Sequence, residues 1–170
     1  MMKKVLITGM SGTGKTTIVR DLSSRGYTAV DLDGDAYSMW VTAAPDPDDP
    51  DNEVKPGQDW VWREDRVHEL LSRHDDGPLF VSGCASNMTR FVARFDLIVL
   101  LSAPDAVIVA RLGSRQGSGY GQSPEEVARV LRLRQTVEPH LRQIADLEID
   151  TSDPDQSAAT LVLQHMGLSA

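Results

Sequence analysis

The sequence predicts an α/β fold: a five-stranded parallel sheet held between two layers of helices. Three observations carry that reading. Short runs of β-branched residues and leucine recur at Val5–Thr8, Thr28–Leu32, Leu79–Ser82, Leu97–Leu101 and Leu147–Thr151. Helical stretches separate them, as crossover connections between parallel strands require. The runs are apolar enough to be covered on both faces. At 170 residues, the chain is expected to form a single domain with a real core.

The first strand leads into Gly9-Met10-Ser11-Gly12-Thr13-Gly14-Lys15-Thr16, a complete G-x-x-x-x-G-K-[ST] phosphate-binding loop. Its glycines let the backbone curl so that successive N–H groups face an anion, and Lys15 adds a point charge for β- and γ-phosphates. The Thr16 hydroxyl is a ligand for Mg²⁺. Thr17 to Leu22 continues as a helix whose N-terminus adds a positive field, and Gly26 stands where that helix should end. The implied fold is that of a P-loop NTPase. The expected nucleotide-binding residues are Gly9, Ser11, Gly12, Thr13, Gly14, Lys15, Thr16 and Thr17.

The second strand runs into Asp31-Leu32-Asp33-Gly34-Asp35. Carboxylates at the carboxyl end of a strand can hold a Mg²⁺-bound water, or accept the proton of an attacking hydroxyl. Asp33 and Asp35, spaced by one glycine, are the candidates that share these two tasks; Asp31 reads as the structural member of the three. A helix cap would need one such residue and not three.

Two stretches break the regular alternation. Ala44 to Asp59 holds four of the nine prolines and six acidic residues, and belongs to an irregular, solvated excursion over about 36–66. Gly113 to Ser123 holds four glycines around Tyr120 and reads as a mobile lid loop over about 111–123. Both are expected around the crevice at the carboxyl ends of the strands. Trp40, Trp60 and Trp62 flank the first; they either wall an acceptor pocket or anchor the loop to the core. Ser123-Pro124-Glu125-Glu126 is a capping box with proline at the first helical position. Asp153-Pro154-Asp155-Gln156 repeats that pattern before the last helix, which should end near Gly167.

Composition narrows the function further. The net charge of −8 argues against a nucleic-acid-binding face. The single cysteine, Cys84, excludes an internal disulfide and fits a reducing compartment. No apolar run suffices for a signal-peptide core or a membrane span, so the expected location is the cytoplasm. His68, His74, His140 and His165 lack metal-ligand spacing.

The loop at Gly9–Thr16 together with Asp33-Gly34-Asp35 resembles the small P-loop kinases: shikimate kinases, gluconate kinases and the wider adenylate-kinase-like, or nucleoside-kinase-like, group. The resemblance implies that Asp33, with Thr16, helps order Mg²⁺, and that Asp35 faces the acceptor hydroxyl. It places Asp59 to Arg66 on an acceptor-site helix, with Arg63 as the substrate-gripping arginine and Arg66 second. Gly83, Cys84 and Asn87 correspond to the turn by which the backbone approaches the acceptor. Arg115 and Arg134 correspond to lid arginines on the transferring phosphoryl group, with Arg111 and Arg132 as alternates. Asp153 and Pro154 fall in the loop that packs against adenine, which does not distinguish ATP from GTP. No aspartate follows the third strand, and Asp96 starts its own strand at the far end of the sheet. The implied activity is transfer of the γ-phosphoryl of Mg·ATP to a hydroxyl of a small-molecule acceptor. Nucleoside or nucleotide phosphorylation, or a regulatory nucleotide-binding role, stands as the alternative. The expected state is monomer or homodimer, with catalysis by Lys15, Asp33, Asp35, Arg115 and Arg134.

Overall fold

The computed structural model describes residues 2–44, 47, 55–114 and 122–169. Each expected strand is present with ends within one residue of the sequence reading: β1 Lys4–Thr8, β2 Thr28–Asp31, β5 Leu79–Ser82, β6 Leu97–Ser102 and β7 Leu147–Asp150. They form one parallel sheet in the order β2-β5-β1-β6-β7. Side chains alternate across β1. Val5 and Ile7 pack with Ile18 and Leu22 of α1 (Lys15–Ser24) and with Val162 and Leu163 of α5 (Ala158–His165). Leu6 faces the other way, toward Leu70 and Leu71 of α2 (Glu64–Leu71) and Leu133 and Leu141 of α4 (Pro124–Ile144). The result is three layers, α/β/α, with Val5 to Thr8 of β1 buried at the centre. The order in which strands are added reverses at β1, which lies between β5 and β6, so the loop after it opens at the switch point of the sheet.

Helix ends follow local chemistry. Gly26, at φ 87°, closes α1 as the C′ residue. Ser123 caps α4 by accepting from the Glu126 N–H at 3.2 Å, while Glu126 reaches back to the Gln122 N–H at 3.2 Å. The second expected cap is corrected. Asp153 closes its own turn by accepting from the Asp155 N–H, and Ser157 caps α5 instead. Gly113 and Ser114 belong to α3 (Asp105–Ser114), so the glycine-rich segment starts as helix; 115–121 lies outside the described residues.

The excursion contains an element that sequence periodicity did not reveal. β3 (Ser38–Thr42) and β4 (Gln58–Trp62) form an antiparallel hairpin in which Trp40 stands opposite Trp60. The expected acceptor-site helix over Asp59 to Arg66 is therefore a strand up to Trp62, with α2 beginning at Glu64. The cause is side-chain pairing: the Trp40 and Trp60 rings lie 4.8 Å apart, and such cross-strand aromatic pairs stabilise a ribbon. Trp62 is buried against Phe91 and anchors the inner end. Among the described residues, no helix is long and apolar enough to cross a membrane.

Candidate functional site

The carboxyl ends of the strands surround a cleft of about 1490 Å³ that reaches from the phosphate-binding loop to the β3–β4 hairpin. The loop is packed too tightly for side chains at its hinge. A Cβ on Gly9 would lie 2.5 Å from the Leu101 carbonyl and 2.7 Å from Thr13 Oγ1. Thr13 is buried, and its hydroxyl donates to the Met10 carbonyl at 2.7 Å. Lys15 Nζ donates to the Gly9 and Met10 carbonyls at 2.6 and 3.1 Å, which holds the ammonium over the loop. Gly14 at φ 102° opens α1 without a side-chain cap, so the first N–H groups of the helix face the loop.

A second tier fixes the loop from behind. Thr151 Oγ1 donates to the Thr13 carbonyl at 2.7 Å. Arg111 donates to the Gly12 carbonyl at 3.0 Å, to Thr151 Oγ1 at 2.9 Å and to the Thr151 carbonyl. Arg111 thus clamps the loop to the segment after β7. Asp153 and Pro154 line the cleft on this side, together with Ser11, Gly12, Thr16 and Thr17.

At the end of β2 the carboxylates separate. Thr16 Oγ1 lies 3.4 Å from Asp31 Oδ2, and Asp31 Oδ1 accepts from the Asp33 N–H at 2.9 Å. Ser82 is in register beside Asp31, and its buried hydroxyl has no hydrogen-bond partner among the described residues. Hydroxyls and a carboxylate are the oxygen donors that Mg²⁺ selects. No cluster of three His, Cys, Asp or Glu suited to a metal is found among the described residues, so a cation here fits as one shared with nucleotide phosphates.

Asp33 lines the cleft and is half-buried. The Cys84 N–H donates to its Oδ1 at 3.3 Å. Burial pushes its carboxyl above the usual carboxylate range; the Lys15 charge opposes that shift, nearby Asp31 adds to it, and the Cys84 N–H and Trp60 side chain oppose it more weakly. Gly83 makes this approach possible, since a Cβ there would meet Trp62 Nε1 at 3.1 Å and Asp33 Oδ1 at 3.2 Å. Burial also raises the Cys84 thiol, which therefore stays protonated at neutral pH.

Beyond Asp33 stand Trp40, Lys55, Asp59, Trp60, Ser86 and Met88. The Lys55 ammonium lies over the Trp40 ring, 4.4 Å from its centroid. Asp59 Oδ1 accepts from the Trp60 N–H at 2.8 Å and from the Ser86 hydroxyl. Of the two roles open to the tryptophans, Trp40 and Trp60 wall the cleft and Trp62 anchors the core.

Other expected site residues stand apart from this cleft. Asp35 is exposed, and its carbonyl accepts from Arg63 Nε at 3.1 Å. Arg66 donates to the Ala36 carbonyl at 3.2 Å. Asn87 uses its amide on the β4–α2 junction, accepting from the Trp62 N–H at 2.8 Å and donating to the Trp62 carbonyl and Glu64. Arg134 pairs with Asp105 and Glu138, Arg132 is exposed, and Arg115 lies outside the described residues. The structure also brings Lys55, Asp59 and Thr151 to the cleft, which the sequence reading did not single out, and sets Asp31 beside Thr16. Only Asp31 carried a signal, as the last residue of its strand; the Asp59–Ser86 contact joins positions 27 apart that no spacing rule connects.

No curated protein matches the chain by sequence. By structure it is similar to a shikimate kinase from Acinetobacter baumannii in complex with shikimate, with TM-score 0.58, 19% identity, and 97% of this chain and 90% of that one covered. A shikimate kinase from Bacteroides thetaiotaomicron gives TM-score 0.62 at 17% identity, covering 99% of this chain and 100% of that one. A gluconokinase from Sinorhizobium meliloti 1021 gives TM-score 0.53 at 18% identity, covering 89% and 84%. At these identities the likeness establishes the fold, that of the small P-loop kinases. The sequence profile of a family described as an AAA domain matches residues 5–132, and the chain belongs to that family.

Proposed function

We propose that this protein is a phosphotransferase that moves the γ-phosphoryl of Mg·ATP to a hydroxyl of a small-molecule acceptor. One observation carries the reading: Lys15 on the phosphate loop and the half-buried Asp33 line the same cleft, which continues to the Trp40–Trp60 hairpin. A regulatory nucleotide-binding protein needs the first half of that cleft and has no use for the second.

In this reading the loop Gly9 to Thr17 binds the triphosphate, with Lys15 on its β- and γ-oxygens. Asp153 and Pro154 border the base. Thr16 and Asp31 would hold the Mg²⁺ of the nucleotide, an ion that would supply charge neutralisation to the phosphate oxygens. Asp33 receives or orients the acceptor proton, since a carboxylate with a raised pKa is the better base near neutral pH. The roles expected of Asp33 and Asp35 thus move one carboxylate toward β2, because the strand ends at Asp31 and the chain turns away before Asp35. Arg115 remains the candidate for closing over the phosphoryl group.

The test is acceptor-dependent ADP formation by purified protein over a panel of small hydroxylated metabolites. Turnover with one chemical class supports the proposal. Nucleotide binding with no acceptor-dependent ADP from any compound would return the protein to the regulatory reading. Nucleosides belong in the panel, because the Trp40–Trp60 pair also offers a face on which a base can stack.

A further inference from the structure

Resting on the phosphotransferase reading, we infer that the acceptor is an uncharged polyhydroxylated molecule, a sugar or cyclitol, and not a carboxylate. The charges at the acceptor end of the cleft carry the inference. Among the described residues the charged side chains lining it are Asp33, Asp59 and Lys55, with Lys15 beside Asp33 but held on the Gly9 and Met10 carbonyls and His140 next to the α4 floor. Gripping a carboxylate calls for a guanidinium fork or an uncommitted cation. Arg63 and Arg66 instead hold the backbone carbonyls of Asp35 and Ala36 outside the cleft. Arg90 is paired with Glu64 at 2.7 Å. Lys55 is a single point charge seated on the Trp40 ring. A carboxylate brought between Asp33 and Asp59 would meet like charge in a partly desolvated site.

What the cleft does present suits a neutral polyol. Trp40 and Trp60 are tilted at 56°, an open wedge and not a parallel slot for a flat base. Tryptophan faces pack well against apolar C–H surfaces while polar groups point elsewhere. Asp33 and Asp59 are acceptors for hydroxyl protons, and Ser86, already bonded to Asp59, adds a further hydroxyl. Met88 and, from α4, Leu133 and Val137 supply an apolar floor. The chemistry is balanced with these groups alone. The acceptor oxygen bonds to the γ-phosphorus as the bond to the β–γ bridging oxygen breaks, ADP leaves, and the hydroxyl proton passes to Asp33.

The experiment uses matched compounds: neutral hexoses, hexitols and inositols, the aldonates and uronates related to them, and nucleosides. Two readouts are recorded with the intact protein and Mg·ATP, namely acceptor-dependent ADP formation and quenching of tryptophan fluorescence, which needs no turnover. The expected result is that a neutral polyol gives both signals and its carboxylate counterpart has a KM at least about tenfold higher, the size of one charged contact. Asp59→Asn should raise the KM of the neutral acceptor about tenfold with kcat nearly retained. Trp60→Phe, which keeps an aromatic face beside Trp40, should reduce the quench less than Trp60→Ala. Lower KM for carboxylates, turnover confined to nucleosides, or no quench by any neutral polyol would overturn the inference. Quenching by neutral polyols without ADP formation would leave the acceptor class standing and sink the phosphotransferase reading.

Discussion

Thr16 and Asp31 face each other across the gap between α1 and β2, with Thr16 Oγ1 3.4 Å from Asp31 Oδ2. Thr16 follows the loop lysine, and Asp31 ends a strand separated from β1 by β5. Asp31→Asn keeps an oxygen for the Asp33 N–H but removes the charge. It should raise the Mg²⁺ concentration needed for half-maximal transfer about tenfold, one charged contact's worth, and leave the fold intact. A Mg²⁺ titration of parent and variant checks this; identical curves would remove Asp31 from the cation site.

Asp33→Asn should separate stability from activity. Burial raises the folded-state pKa of Asp33. The sign follows: the stability contribution of this group is complete below the unfolded carboxylate pKa of about 3.9 and is lost as pH rises through the raised folded value. Above that folded value the ionised group is therefore a net cost. The amide, which can still accept from Cys84, should gain stability over the parent in denaturant melts as pH rises through that value. Transfer should fall by about 10²–10⁴. In the parent protein kcat/KM should decline on the acid side with an apparent pKa above the ordinary carboxylate range, and that limb should vanish in the variant.

Gly83→Ala tests whether close approach of backbone to Asp33 matters. The new methyl would stand 3.1 Å from Trp62 Nε1 and 3.2 Å from both Asp33 Oδ1 and Leu32 Cβ. Crowding of that kind costs about 1–3 kcal/mol, and here it displaces the carboxylate. Turnover should drop at least about tenfold while nucleotide affinity changes little. Loss of nucleotide affinity in equal measure would show that the turn supports the phosphate loop instead.

Lys15→Ala removes a charge from a loop built around anions and opens no core cavity. Mg·ATP binding should weaken and transfer should be abolished, with the thermal melt near that of the parent. Transfer at close to the parent rate would overturn the site assignment.

Arg111→Ala distinguishes a clamp from a lid arginine. Its guanidinium bonds to Gly12 and Thr151. Removal should destabilise the protein by about 1–3 kcal/mol, because partly buried carbonyl groups lose their donor, and should weaken nucleotide binding. An unchanged melt with a reduced kcat would make it a lid residue.

Much of this molecule is legible in its local sequence. The five strands, the phosphate loop, the Gly26 terminator and the Ser123 cap each depend on residues a few positions apart, and all stand where expected. The β3–β4 hairpin was hidden because its strands are separated by a long acidic, proline-rich segment, and Trp40 and Trp60 signal pairing only once they meet.

The sequence by itself determined the fold class and the nucleotide half of the site. A contiguous motif carries its own geometry: Gly9 to Thr16 needs only the strand before it and the helix after it to become an anion cradle. The tertiary structure decided the hairpin end of the cleft. There the choice among Asp31, Asp33 and Asp35 turns on where β2 ends, and on which carboxylate meets Thr16 and which meets Cys84. Likewise Arg63 and Asn87 are taken up by contacts to residues about two dozen or more positions away. Whether a polar side chain faces a ligand or a backbone carbonyl depends on its neighbours in space, which packing sets and local spacing does not.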